Sequence, residues 1–425
     1  MALRILKGAI VSAPALGKLD CLEDGYLVAE DGVIQGVYET LPAQYAEAEI
    51  EDWTGDLILQ SFSDMHLHAP QYPMLGMGLD MPLMDWLVAY PFPLEAKYAD
   101  TDFARSVYSK LARDLVERGT TRVCIFSSLH RPATLVLMEE LEKAGITGYA
   151  GKVNMDRSMV DYLSETTEES KAETLRWLEE SKRFTNIRPM ITPRFTPSCT
   201  DELMYFLGDL VKKYDLPVQS HLSENDAEIE TVLTLCPDCD AYWESYAKRG
   251  LWTDRTLMAH CVWSDELERK AMKEAGVTVV HCGDSNWDLC SGTAPIREML
   301  DEGVKVCLGS DCAGGDNIDM FHSVVAAIRA SKARTILDNW GTDFLTVAEG
   351  WYLATSAGAA FFGENPGFAP GNPLHAMVLS DDALPSVREL TVRERFERCV
   401  YRRQEGAIKA VYSAGRKVYS AADHC

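Results

Sequence analysis

The chain has 425 residues, 47% of them hydrophobic and 25% charged, which excludes a disordered, collagen-like or coiled-coil protein. Sixty-five acidic residues against forty-one basic ones leave a formal net charge of −24. Such a surface repels phosphate backbones and anionic membranes, so no nucleic-acid or membrane partner is expected, and a nucleobase substrate would be the free base.

Taken in chain order, residues 5–11, 26–30 and 33–38 read as short strands, with Glu30-Asp31-Gly32 as a hairpin signal. The first residues read as a strand rather than a signal peptide. No run of about twenty apolar residues follows, so no spanning helix is expected. The twelve cysteines are too few for a disulfide scaffold. Those in apolar runs (Cys124, Cys261, Cys282, Cys307) read as buried free thiols, and a reducing cytoplasm is the expected location.

Eight β-rich runs then alternate with amphipathic stretches: 57–69, 120–130, 146–156, 187–195, 216–224, 256–264, 277–285 and 304–312. Helices are expected over 103–118, 170–184, 201–214, 265–275 and 295–302. Eight strands alternating with helices predict a parallel α/β fold of the (β/α)8 TIM-barrel type. A long insertion follows the first run. Its apolar stretch 74–93, with Trp86, Tyr90 and Phe92, reads equally as a lid over the barrel mouth or as a subunit interface or capped core edge. After about 372 the chain is again short-stranded. The predicted domains are therefore a composite small β-sandwich, 1–58 with 372–425, and a barrel, 59–371.

His66-Leu67-His68 closes the first run. Residues two apart in a strand face the same side, so both imidazoles can reach one ion. His221, His260 and Asp311 end the fifth, sixth and eighth runs, at the carboxyl ends where barrel enzymes carry their active sites. Neutral imidazoles plus a carboxylate suit Zn²⁺ or a similar divalent ion, which would activate a water. Glu224, three residues after His221, falls in the loop above and is suited to shuttle protons. Asp311 can ligate and also accept a proton. The fourth run offers no lysine to bridge two metals, and Lys152 reads as an ordinary lysine. Cys236-Pro237-Asp238-Cys239 lacks the second pair of a zinc ribbon and reads as a loop coincidence.

His66-Leu67-His68 with His221, His260 and Ser310-Asp311 resembles the amidohydrolase superfamily. Asp64-Met65-His66-Leu67-His68-Ala69-Pro70-Gln71-Tyr72, Gly151-Lys152-Val153-Asn154-Met155-Asp156, Thr192-Pro193-Arg194-Phe195 and Gln219-Ser220-His221-Leu222-Ser223-Glu224 resemble more closely the guanine deaminase family within it. The resemblance implies one zinc ion per chain (another divalent ion such as Fe²⁺ being the alternative), held by His66, His68, His221 and Asp311. It implies that His260 orients the attacking water or the substrate and can approach the metal, that Glu224 moves the proton, and that Gln71 and Arg194 hydrogen-bond a free purine with Phe195 beside the ring. It further implies attack at C2 of guanine, giving xanthine and ammonia, and a homodimer. Enzymes acting on 8-oxoguanine or pterins share the same aminopyrimidinone edge and stay open, as does a catalytically silent barrel. The family's seventh-strand His-Cys-Pro motif departs here to His281-Cys282-Gly283-Asp284-Ser285-Asn286, which adds an acid near the site mouth.

Overall fold

The computed structural model describes residues 3–158 and 160–424. At the hairpin expected at Glu30-Asp31-Gly32, Asp31 and Gly32 take φ of 48° and 82°, the left-handed pair that a two-residue turn needs to match strand twist. That turn joins the strand Lys18–Glu30 to Val33–Tyr38. The strand Leu3–Ala15 pairs antiparallel with Lys18–Glu30 on one side and parallel with Glu51–Gln60 on the other. Glu51–Gln60 in turn pairs with Ala376–Leu379, followed outward by Ile408–Ser413 and Arg416–Ser420. The two chain ends thus build one seven-stranded mixed sheet, where a two-sheet sandwich is expected from the sequence.

Period-two alternation explains why this sheet tolerates runs such as Leu57-Ile58-Leu59, all fully buried. Ile58, with Leu6, Ile10, Leu27, Val378 and Tyr412, forms a core on one face. Leu57 and Leu59, with Ala9, Val11, Met377 and Leu379, join the main core on the other. The division expected at 58/59 falls inside a strand, because Leu59 and Gln60 still pair with Met377 and Ala376. The C-terminal part also contains an amphipathic helix, Val392–Arg402, in a region read from the sequence as strands alone. Its Phe396 packs edge-on against Trp351 at 4.9 Å, which packs on Phe62 at 5.0 Å.

All eight β-rich runs contain strands of one parallel system. They are Phe62–His68, Thr120–Phe126, Thr147–Gly151, Ile187–Pro189, Val218–Leu222, Thr256–His260, Thr278–His281 and Lys305–Leu308. The third and fourth continue as the short pair Val153–Asn154 and Thr192–Pro193. The first four strands pair in sequence, as do the last four. A parallel bridge from Ile191 to Val218 links the two sets. Beyond the eighth strand, Asp311 N donates to His66 O at 2.8 Å and His68 N to Cys312 O at 3.1 Å. This approach requires Gly309, where a Cβ would lie 2.8 Å from the Cβ and carbonyl oxygen of His66.

The long amphipathic stretches are helices, for example Thr101–Glu117 and Asp201–Tyr214. The insertion after the first strand carries two short helices, Leu83–Ala89 and Pro91–Glu95. Among the described residues no helix is long and apolar enough to cross a membrane. Lys152 is not the ordinary lysine expected: it is fully buried and paired with Glu165 at 2.9 Å.

Candidate metal centre and substrate pocket

His66 and His68 face one side of their strand, while Met65 and Leu67 pack into separate cores. His68 Nε2 lies 3.1 Å from His221 Nε2, and Asp311 Oδ1 lies 3.3 Å from His66 Nε2 and 3.6 Å from His68 Nε2. The donor atoms of His66, His68 and His221 lie within 4.8 Å of one another, as do those of His66, His260 and Asp311. His260 and Asp311 reach this point from strand ends held at φ 72° and 46°. Non-glycine residues adopt that left-handed conformation at a cost of order 1–3 kcal/mol each, and such strain concentrates at functional sites.

Groups behind the donors set their orientation. His221 Nδ1 lies 2.5 Å from Arg194 O. A carbonyl only accepts, so Nδ1 carries the proton and Nε2 is left with its lone pair. His260 Nδ1 meets Asn286 Oδ1 at 2.9 Å. Buried Asp64 accepts from Ser310 N at 2.9 Å and Ser310 Oγ at 2.5 Å, and so fastens the loop that presents Asp311.

Burial holds His66 below the ordinary histidine range, and His68 and His221 well below it. These rings are neutral, as metal ligation requires. Burial works against charge on Asp311, but His66 and the other imidazoles outweigh it and keep the carboxyl well below its usual range. For His260 burial again opposes charge, and Glu224 and Asp311 outweigh it and raise the ring. His66 Nε2 is buried and makes no well-aligned hydrogen bond although Asp311 Oδ1 lies 3.3 Å away, an arrangement suited to two groups that share an ion. Three neutral imidazoles and one carboxylate therefore fit a divalent ion of the zinc type.

Glu224 is 3% exposed. Its Oε1 accepts from Ser291 Oγ at 3.1 Å, and its Oε2 lies 3.5 Å from His260 Nε2. Burial pushes its carboxyl up, which makes the group a readier proton acceptor than an exposed carboxylate. Behind it, Glu228 accepts from Glu224 N at 2.9 Å and from Tyr242 OH at 2.6 Å.

His68, His221, His260 and Asp311 open into a cavity that Glu224 and Leu289 also line. Gln71, Arg194 and Phe195 line it together with Leu83, Trp86 and Leu87 of the insertion, so the apolar stretch contributes to the wall of the pocket. Every residue singled out from the sequence as catalytic, ligating or substrate-binding is thus brought to one place. Asp284 does not line this cavity. It turns toward His322, 3.4 Å away, which also meets Asp316 at 3.2 Å. Gly283 packs against the backbone of Ala326 and Ala327. Cys236 and Cys239 are both buried and free.

Sequence reasoning missed Glu95. It is 2% exposed and accepts from Arg194 Nη1 at 2.6 Å, Arg194 Nη2 at 3.0 Å and Gln71 Nε2 at 2.9 Å. The only sequence signal is a single acid at the end of an apolar stretch. Asn286, Asp64 and Ser291 were missed as well, because nothing in a polar residue's identity announces that it stands behind a ligand.

Residues 57–418 match the amidohydrolase family. A guanine deaminase of Dictyostelium discoideum is 32% identical, the alignment covering 98% of this chain and 98% of that protein. The crystal structure of a guanine deaminase from C. acetobutylicum with guanine bound in the active site superposes with a TM-score of 0.96. It is 39% identical, with 98% of this chain and 100% of that one covered. An adenosine deaminase structure from Xanthomonas campestris with bound zinc shares the fold, with a TM-score of 0.82 at 22% identity, covering 97% and 92% of the two chains.

Proposed function

The chain belongs to the amidohydrolase family and, within it, to the guanine deaminases, and we propose that it hydrolyses guanine to xanthine and ammonia with one zinc ion per chain. The observation that carries this is the placing of Gln71, Arg194 and Phe195 around the same cavity that the His66, His68, His221 and Asp311 donors open into. The parallel strand system, linked from its eighth member back to its first, supports a closed (β/α)8 barrel, with the residues of both chain ends as a separate β domain. All donors sit at the carboxyl ends of its strands, where such barrels carry their chemistry.

In this reading His66, His68, His221 and Asp311 would hold the ion, which would supply a lowered pKa for a water at the site. His260 hydrogen-bonds the attacking water and aims it at C2, the amidine carbon between N1 and N3. Glu224 takes one proton from the attacking water and delivers it to the ring nitrogen, which makes C2 more electrophilic. Asp311 takes the second proton as the new C2 hydroxyl becomes a carbonyl, and Glu224 relays it to the departing amine, which leaves as ammonia. Gln71 offers both a donor and an acceptor to the purine edge, and Phe195 packs beside the ring. Leu83, Trp86 and Leu87 exclude bulk water, which strengthens each of these interactions. The convergence of buried His66 Nε2 and Asp311 Oδ1 without a well-aligned hydrogen bond between them weighs against a silent barrel, in which it would be a cost without return.

Thiols buried free in apolar strands (Cys124, Cys282, Cys307) support a cytoplasmic setting. The −24 charge supports a free base rather than a nucleic acid as substrate. A homodimer is part of the same proposal, and sedimentation tests it. The activity is tested by following guanine loss in the ultraviolet, with metal content measured on the same sample. Guanine should be the fastest substrate in a panel with 8-oxoguanine and pterin. Faster turnover of either, or no turnover by the zinc-loaded protein, overturns the proposal.

A further inference from the structure

Glu95 and Phe92 lie three apart on the helix Pro91–Glu95 and so share a face. Between them they enclose the Arg194 guanidinium, with Phe92 at 5.0 Å from its carbon and Glu95 paired to both terminal nitrogens. Arg194 and Glu95 are 3% and 2% exposed, so the cation is neutralised by a bidentate pair where water screens little. The Glu95 oxygen that takes Arg194 Nη2 also takes Gln71 Nε2. Ala313 N approaches Gln71 Oε1 at 3.4 Å. One N–H and one lone pair of the Gln71 amide are thereby left for a ligand, and its flip is settled.

We propose that Glu95 is a specificity-determining and positioning residue, which makes the purine end of the pocket electrically neutral and so admits neutral bases while turning away purine anions, the ionised product among them. The inference rests on the guanine reading above. Hydrolysis replaces the C2 amine with a carbonyl, which sets N1–H between two carbonyls and adds N3–H. Such imide protons are more acidic than those of guanine, so the product ionises closer to neutral pH than the substrate. An unpaired, buried guanidinium would hold that anion strongly, because charge pairs strengthen as the local dielectric falls. With Glu95 in place the anion meets a carboxylate as well.

The test compares zinc-loaded wild type, Glu95→Gln and Glu95→Asp by guanine kinetics and by xanthine inhibition across the ionisation of xanthine. In wild type, inhibition should weaken as the anion fraction grows. In Glu95→Gln, KM for guanine should rise with the loss of Gln71 and Arg194 alignment. Inhibition at alkaline pH should tighten by about tenfold over wild type, the effect of one additional charge-assisted hydrogen bond to the anion. Glu95→Asp keeps the charge and should keep the wild-type pH course. Superimposable xanthine curves for wild type and Glu95→Gln, or an Asp variant that behaves like Gln, overturn the proposal. If Glu95→Gln does not fold, the wild-type curve decides alone: inhibition that strengthens with ionisation overturns it. A wild type inert on guanine would instead sink the functional reading, so the two failures are distinguishable.

Discussion

Replacing Glu224 by Gln isolates proton transfer from everything else the residue does. Gln keeps the length and shape of the side chain, and its amide oxygen can still accept from Ser291 Oγ, which now sits 3.1 Å from Oε1. Glu224 contributes to neither converging donor set, so metal content should stay at the wild-type level. The variant should fold at least as well as wild type at neutral pH, because burial pushes the native carboxyl up and a neutral amide removes that cost. A positioned acid–base group is worth about 10²–10⁴ in rate. Only the slower of the two transfers assigned to Glu224 limits turnover, so kcat should fall by that factor, about 3–5 kcal/mol of barrier. Stopped assays of xanthine formation, with zinc quantified in the same preparation, measure both arms. A kcat within about tenfold of wild type would refute the shuttle, and parallel loss of zinc would make Glu224 a ligand instead.

Further outcomes follow from other groups. Asp64→Ala should weaken zinc binding by about 10–100-fold, as measured by competition with a chelator, because the loop bearing Asp311 loses its Ser310 anchor. Phe195→Ala should raise KM for guanine by about tenfold with little change in kcat, reflecting the loss of one aromatic contact. Stripping the metal should lower Tm, with recovery on adding Zn²⁺, since binding to the native state alone stabilises it. Burial raises Glu268 from 4.5 to about 7 even though Ser264 and Ser223 hydrogen-bond it. The unfolded chain therefore ionises first as pH rises, and wild-type stability falls between about 4.5 and about 7. Glu268→Gln should then be more stable by up to about 3 kcal/mol above that window and indistinguishable below it. Denaturant midpoints at the two ends of the range check this.

The order of strands and the convergence of side chains at their ends were legible because they rest on local signals: apolar runs, their helical spacers, and histidines at run ends. Where the signal depended on distant partners, reading stopped. The run 57–69 looks like one strand, yet the chain changes sheets at Ser61, because Gln60 pairs with Ala376 whereas Phe62 N bonds Gly119 O. Lys152 reads as an ordinary lysine until Glu165 is brought to it by the fold. Glu95 carries no motif, and its meaning comes only from Arg194, ninety-nine residues away. The helix Val392–Arg402 was hidden by its composition, since four of its eleven residues are arginine and the apolar face is thin.

The sheet made by both chain ends has a consequence for synthesis. Glu51–Gln60 emerges from the ribosome early, but the strand that covers its second edge, Ala376–Leu379, is made more than three hundred residues later. Until then a strand with a fully apolar end waits with open backbone groups, a template for pairing with another chain. Late, long-range closure of this kind is slow and exposes nascent chains to aggregation. A chaperone that shelters the first sixty residues during translation should therefore raise the yield of active enzyme, even though none of those residues touches the substrate pocket.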